Sequence, residues 1–256
     1  MRLSGVFCAV FMSAFLGGCQ VLPPVSNAES DAIRVFLVGD STMATRTGYG
    51  DTLCRLFKPS VTCINLARGG RSSASFRAEG LWGRVIGLLN AREKYAATYV
   101  LIQFGHNDQP GKPGRSTDLA TEFPVNMARY VDEVKAHGAI PVLVTPLTRR
   151  MFSANVLKND LKDWASATAK VAAAKQVPLL DLNANSAAAV SRMGSEEADT
   201  LAEVANGTPM VEGQPKFDYT HLGAKGAAFF AQMVARDLVQ TLPILARHIK
   251  LDPLSR

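Results

Sequence analysis

Histidine and cysteine are scarce, at 4 each among 256 residues, and the chain carries only 2 tryptophans and 5 tyrosines. No HExxH pattern and no paired-cysteine metal spacing occurs, so a metal-centred mechanism has little support. Polybasic runs are also missing, and the aromatic residues are scattered rather than interleaved with Arg and Lys. A nucleic-acid partner is therefore disfavoured in spite of a formal net charge of +6. That charge leaves anionic lipid or an acidic polysaccharide as partners, and composition alone does not choose between them. Internal repeats, low-complexity tracts and a second-domain boundary are absent as well. What is present, 47% hydrophobic and 20% charged residues, suits one larger globular domain.

The amino terminus reads as a targeting segment. Arg2 gives a positive start, "VFCAVFMSAFL" (6–16) is too short to span a membrane as a mature helix, and "LGGC" follows. Leu16-Gly17-Gly18-Cys19 resembles the bacterial lipobox, which predicts lipidation of Cys19 and an outer-membrane or periplasmic lipoprotein. Cleavage after "SNA" (26–28) would instead leave a soluble exported protein. The chain then divides into a signal at 1–19, a linker at 20–31, a domain at 32–245 and a tail at 246–256. With Cys8 removed and Cys19 lipidated, Cys54 and Cys63 remain, a disulfide in an oxidising compartment or two buried thiols.

Past the linker, short apolar β-branched runs alternate with helical patterns, the signature of a parallel α/β sheet. The expected strands are 33–39, 61–67, 98–105, 140–146 and 177–182, and the helical patterns lie at 50–57, 76–90, 123–138, 157–175 and 224–242. Right-handed crossovers make a three-layer α/β/α sandwich with five parallel strands the simplest architecture. In such a sheet ligands sit beyond the carboxyl ends of the strands. There the chain places "GDST" (39–42), "RGGRSS" (68–73), "GHNDQ" (105–109) and "TRR" (148–150), with "DYTH" (218–221) before the last helix.

"GDS" alone is weak, since Asp and Ser cap helices and shape turns routinely. The other loops change its meaning. Asp218 and His221, three apart, can point the same way, so that Asp218 holds Nδ1 while Nε2 faces Ser41. A serine hydroxyl needs such a base at neutral pH. The Ser41 amide, the Gly70 amide and the Asn107 side chain are candidate oxyanion donors, each worth about a hundred- to a thousandfold in rate.

Ser41, Gly70, Asn107 and His221, in that order and context, resemble the four marker blocks of the SGNH (GDSL-type) hydrolases. "GDSTM", "GGRSS", "FGHNDQ", "VLVTPLTRR" and "DYTHLGAKGA" together look like its rhamnogalacturonan acetylesterase branch, over roughly residues 33 to 240. The resemblance implies a flavodoxin-like sandwich, a Ser41, His221 and Asp218 triad, an oxyanion hole of Ser41, Gly70 and Asn107, and no cofactor. It also implies an acetylated pectic polysaccharide as substrate. Relatives often carry Trp in the helix after the first block, where this chain has Tyr49, a change expected to alter a wall of the groove.

Arg71, Arg77, Arg149, Arg150 and Lys216 fall in or beside the rim loops, where they would attract a uronate-rich chain or simply brace the loops. His106 is either a donor to substrate or a loop-setting residue. His137 and His248 read as helix-end or solvent residues, and Trp82 and Trp164 as core. Two other functions fit the same chain, an SGNH lipase or thioesterase acting on long acyl chains, and a polysaccharide-binding lipoprotein without catalysis. Oligomeric state is left open.

Overall fold

The computed structural model describes residues 32–91, 95–204 and 217–252. The Cys19 lipobox, the linker and Lys216 lie outside the described residues. Five strands, β1 (Ile33–Gly39), β2 (Val61–Asn65), β3 (Ala97–Gln103), β4 (Ile140–Val144) and β7 (Leu179–Leu180), pair in parallel in the order β2-β1-β3-β4-β7. This is the doubly wound arrangement expected, with β1 and β3 central.

Both faces of the sheet are covered, which is why its strands read as continuous apolar runs. Val35 and Leu37 of β1, Leu101 of β3 and Val142 of β4 point into one core, while Phe36, Val38, Val100, Ile102 and Leu143 point into the other. The first core is closed by α1 (Gly50–Leu56), α6 (Leu182–Asp199) and α7 (Ala224–Thr241), through Leu53, Val190, Phe230 and Val234. The second is closed by α2 (Ser75–Ala78), α3 (Leu81–Leu89), α4 (Glu122–Ala136) and α5 (Lys162–Lys175). Trp82 and Trp164 lie there, as expected. Tyr49 does not border a groove: it is wholly buried and its hydroxyl donates to Gln103 Oε1 at 2.6 Å, so the expected change of a groove wall is withdrawn.

Several boundaries move for local reasons. Gly80, at φ +75°, splits the 76–90 pattern into α2 and α3; the left-handed backbone alone favours glycine there, since a Cβ would meet nothing within 4 Å and no neighbour excludes one. The start of the 157–175 pattern is not helical. Ala154 and Asn155, both at positive φ, turn a short hairpin of β5 (Phe152–Ser153) and β6 (Val156–Leu157). The last strand is two residues long because the Asp181 carboxylate accepts the Ala184 amide and starts α6, a helix the apolar pattern had not announced. Residues 246–252 are no free tail. Lys58 N donates to His248 O at 2.8 Å, Lys250 N to Leu56 O at 2.7 Å, and His248 is buried against Ser60. His137 does accept the end-of-helix role, with Nδ1 2.7 Å from Glu133 O.

Cys54 and Cys63 are joined in a disulfide, with Cα atoms 5.3 Å apart, linking α1 to β2 at the sheet edge. Closing a loop of about 10 residues stabilises by roughly 3 kcal/mol in the chain-entropy view.

Candidate active site

Chain leaving β1 turns at once. The Asp40 carboxylate accepts the Thr42 amide at 2.9 Å and the Thr42 hydroxyl at 2.8 Å, and Asp40 O accepts the Ala44 amide. Asp40, not Ser41, therefore organises the turn, and the Ser41 side chain is left with no capping duty. Thr47 then ties this turn to the far end of the chain: its hydroxyl donates to Ser41 O at 2.8 Å and its carbonyl accepts the Leu222 amide at 3.0 Å.

Through that link the "DYTH" loop sits across from Ser41. Asp218 Oδ2 is 2.8 Å from His221 Nδ1, and Oδ1 accepts the amides of Thr220 and His221 at 2.9 Å each. The His221 hydrogen bond, with these amides, holds the Asp218 carboxyl well below the ordinary carboxylate range in spite of partial burial. An ionised Asp218 fixes the proton on Nδ1 and leaves Nε2 as a base. Ser41, His106, Asn107, Lys112, Arg149, Met151 and the 217–221 loop line one open cleft of about 380 Å³.

The loop after β2 runs alongside. A Cβ on Gly69 would lie 3.7 Å from that of Ser41, and Gly70 is held at φ +77°. Among the described residues neither the Ser41 nor the Gly70 amide donates to a protein acceptor. The Asn107 amide has a defined orientation: Nδ2 donates to Arg71 O at 3.1 Å, and Oδ1 accepts from Arg115 at 3.4 Å. Its second N–H remains for the cleft. Asp108, fully buried, fastens this loop to the next, accepting from Ser73 Oγ at 2.6 Å, Ser73 N at 3.0 Å and Thr117 Oγ1 at 3.0 Å.

Beside this set lies a second carboxylate and imidazole. His106 Nδ1 is 3.2 Å from Asp40 Oδ2, both groups being buried. Burial opposes ionisation of Asp40, but His106 and Thr42 outweigh it and bring the carboxyl below its ordinary value. Nδ1–H is thus the donor, and His106 Nε2, buried and without a protein partner, borders the cleft.

The expected basic rim is largely spoken for. Arg71 pairs with Glu79 and donates to Gly69 O, while Arg77 pairs with Glu133 and lies over Tyr130. Neither borders the cleft. Arg150 has no exposure: its guanidinium donates to Asp218 O at 2.7 Å and His221 O at 2.8 Å, so it clamps the base loop from beneath rather than meeting substrate. Arg149 does line the cleft, bonded to Asp160 and to Thr220 Oγ1. Lys112 and Arg115 went unnoticed in the sequence because they lie several residues past the "GHNDQ" block, in a Gly- and Pro-containing loop that curls back over it.

Residues 37–229 match the profile of the GDSL-like lipase/acylhydrolase family. The chain belongs to that family. Among its relatives is a probable rhamnogalacturonan acetylesterase, YesY of Bacillus subtilis, 31% identical over 86% of this chain and 99% of its own length. Another is rhamnogalacturonan acetylesterase RhgT of the same organism, 34% identical over 85% of this chain and 94% of its own. Solved structures share the fold. The Bacillus subtilis protein YXIM matches at a TM-score of 0.65 and 24% identity, over 82% of this chain and 56% of that one. Axe2, an acetylxylan esterase of Geobacillus stearothermophilus, matches at 0.58 and 16% identity, over 83% of this chain and 95% of its own.

Proposed function

We propose that the protein is a carbohydrate O-acetylesterase that removes acetyl groups from a rhamnogalacturonan-like pectic polysaccharide. The observation that carries this reading is the convergence of Ser41, Asn107 and the Asp218 and His221 pair on one cleft, in a family whose relatives include named rhamnogalacturonan acetylesterases.

His221 Nε2 takes the Ser41 proton as Oγ attacks the acetyl carbonyl. Negative charge on the carbonyl oxygen is met by the amides of Ser41 and Gly70 and the spare N–H of Asn107. His221 then returns the proton to the departing sugar oxygen, and water, activated by the same imidazole, releases acetate from the acetyl-serine. Asp218 keeps the imidazole in the tautomer each step needs. A cleft of about 380 Å³, open and lined by polar side chains together with Met151, Phe217 and Tyr219, suits an acetyl ester on a sugar better than a long acyl chain.

Ser41→Ala should abolish acetate release from acetylated rhamnogalacturonan and from 4-nitrophenyl acetate, with a fall of at least about a thousandfold in kcat/KM. Retained hydrolysis would remove Ser41 from the mechanism. A wild-type preference for acyl chains of eight or more carbons would replace the acetylesterase by a lipase, and pectin binding with no acetate release would leave only a binding protein. The export and anchoring of this enzyme through a lipidated Cys19 belong to the same proposal, supported by the Leu16-Gly17-Gly18-Cys19 sequence.

A further inference from the structure

Charge around the cleft is unbalanced in one place. Lys112 is half-buried at the lining, and Arg149 and Arg115 lie close by. Arg149 has Asp160 as its counterion, whereas among the described residues neither Lys112 nor Arg115 has a carboxylate within ion-pair distance. Arg115 is engaged with the carbonyls of Gly70 and Asn107. Lys112 Nζ donates to the backbone carbonyl of His106, which uses one of its three N–H groups and ties the ammonium to the chain that carries the imidazole. Burial, and the neighbouring Arg149 and Arg115, outweigh the attraction of Asp40 and Asp160 and hold that ammonium below the ordinary lysine range, a cost that an anion in the cleft would relieve.

His106 supplies an independent pointer. Its Nδ1 is 3.2 Å from Asp40 Oδ2, while Nε2 is buried and without a hydrogen-bond partner in a residue that lines the cleft. An acetyl group has no donor for it. A sugar hydroxyl has one.

We infer that Lys112 and His106 form a uronate subsite on the sugar side of the cleft, where the Lys112 ammonium takes the carboxylate and His106 Nε2 accepts a hydroxyl of the bound sugar. This assignment rests on the acetylesterase reading and adds to it the feature of the sugar that is recognised. It also moves recognition of negative charge from the arginines of the rim to a lysine inside the cleft, within one loop of the oxyanion donors.

Esterifying the uronates with methanol removes the carboxylate charge and leaves the acetyl groups in place, so two forms of one acetylated rhamnogalacturonan oligosaccharide make the test. Acetate release by the wild type should favour the free acid over the methyl ester about tenfold in kcat/KM, the scale of a partly desolvated charge pair. Lys112→Met should reduce that preference to near unity, Lys112→Arg should restore most of it, and Lys170→Met, exposed on α5 far from the cleft, should keep it. His106→Asn, whose amide can replace Nδ1–H towards Asp40 but not Nε2, should lower kcat/KM on both forms by a similar factor and so retain the preference. A wild type indifferent to methyl esterification, or a Lys112→Met enzyme that still prefers the free acid, overturns the subsite while leaving the esterase intact. Loss of the preference in His106→Asn overturns the division of labour between the two residues. Failure of the wild type to release acetate from either form overturns the esterase reading itself.

Discussion

Arg150 shows how much of the candidate site is support rather than chemistry. A wholly buried guanidinium holds the carbonyls of Asp218 and His221, the two ends of the turn that carries the proposed base. Arg150→Met should strand these acceptors, and because each buried unsatisfied group costs about 1–3 kcal/mol, denaturant unfolding should show a loss of roughly 3 kcal/mol. Activity on 4-nitrophenyl acetate should fall with it. Arg150→Lys should rescue little, since one ammonium cannot reproduce the planar fork that spans both carbonyls; full recovery by lysine would mean that charge alone suffices. Sequence reading could place Arg150 beside a rim loop but not decide its direction. Two adjacent arginines, Arg149 and Arg150, point oppositely, one into the cleft and one under the loop, and only the chain beyond residue 216 determines which is which.

Among the elements, the loops after β2 and β3 stand or fall together through Asp108. Burial lifts this carboxyl from the ordinary 3.8 to about 6, although Ser73 and Thr117 hydrogen-bond to it. With the folded value above the unfolded one, the native state holds the extra proton between them. The contribution is therefore complete below about pH 4 and is lost as pH rises through about 6, at most ~3 kcal/mol in all. Asp218 runs the other way, its contribution present above its ordinary value and lost on stronger acidification. Measured between pH 7 and 5, the wild type should gain stability on acidification relative to Asp108→Asn; parallel curves would show that Asp108 is ionised throughout. Elements of this kind were unevenly legible. The four long strands follow from apolar runs to within two residues, because burial on both faces leaves a strong compositional trace. The hairpin at 152–157 and α6 left no such trace, since one depends on two left-handed residues and the other on a single capping carboxylate.

At the scale of the whole molecule, no described helix is long and apolar enough to cross a membrane; the attachment proposed above runs through Cys19 and its acyl chains. At ~0.8 kcal/mol per buried methylene, several chains would hold the protein firmly. Cys19→Ser should move it from the membrane to the soluble fraction of cells, and a variant that stays with the membrane would remove lipidation from the account. The block order Ser41, Gly70, Asn107, His221 was readable along the whole chain because each block lies in a loop beside a strand or helix whose apolar pattern marks its place. Lys112 was not, since a lysine in a loop carries no periodicity.

Thr47 joins the turn that carries Ser41 to the amide of Leu222. On the proposed mechanism the nucleophile, Ser41, comes early in the domain and the base, His221, late, so a ribosome-bound or translocating fragment that lacks residues 218–241 would not hydrolyse an ester. The order of synthesis works as a safety catch. On that mechanism competence would wait for α7 to pack on α1 and the 217–221 loop to reach Ser41, and turnover would in that sense report that folding has finished.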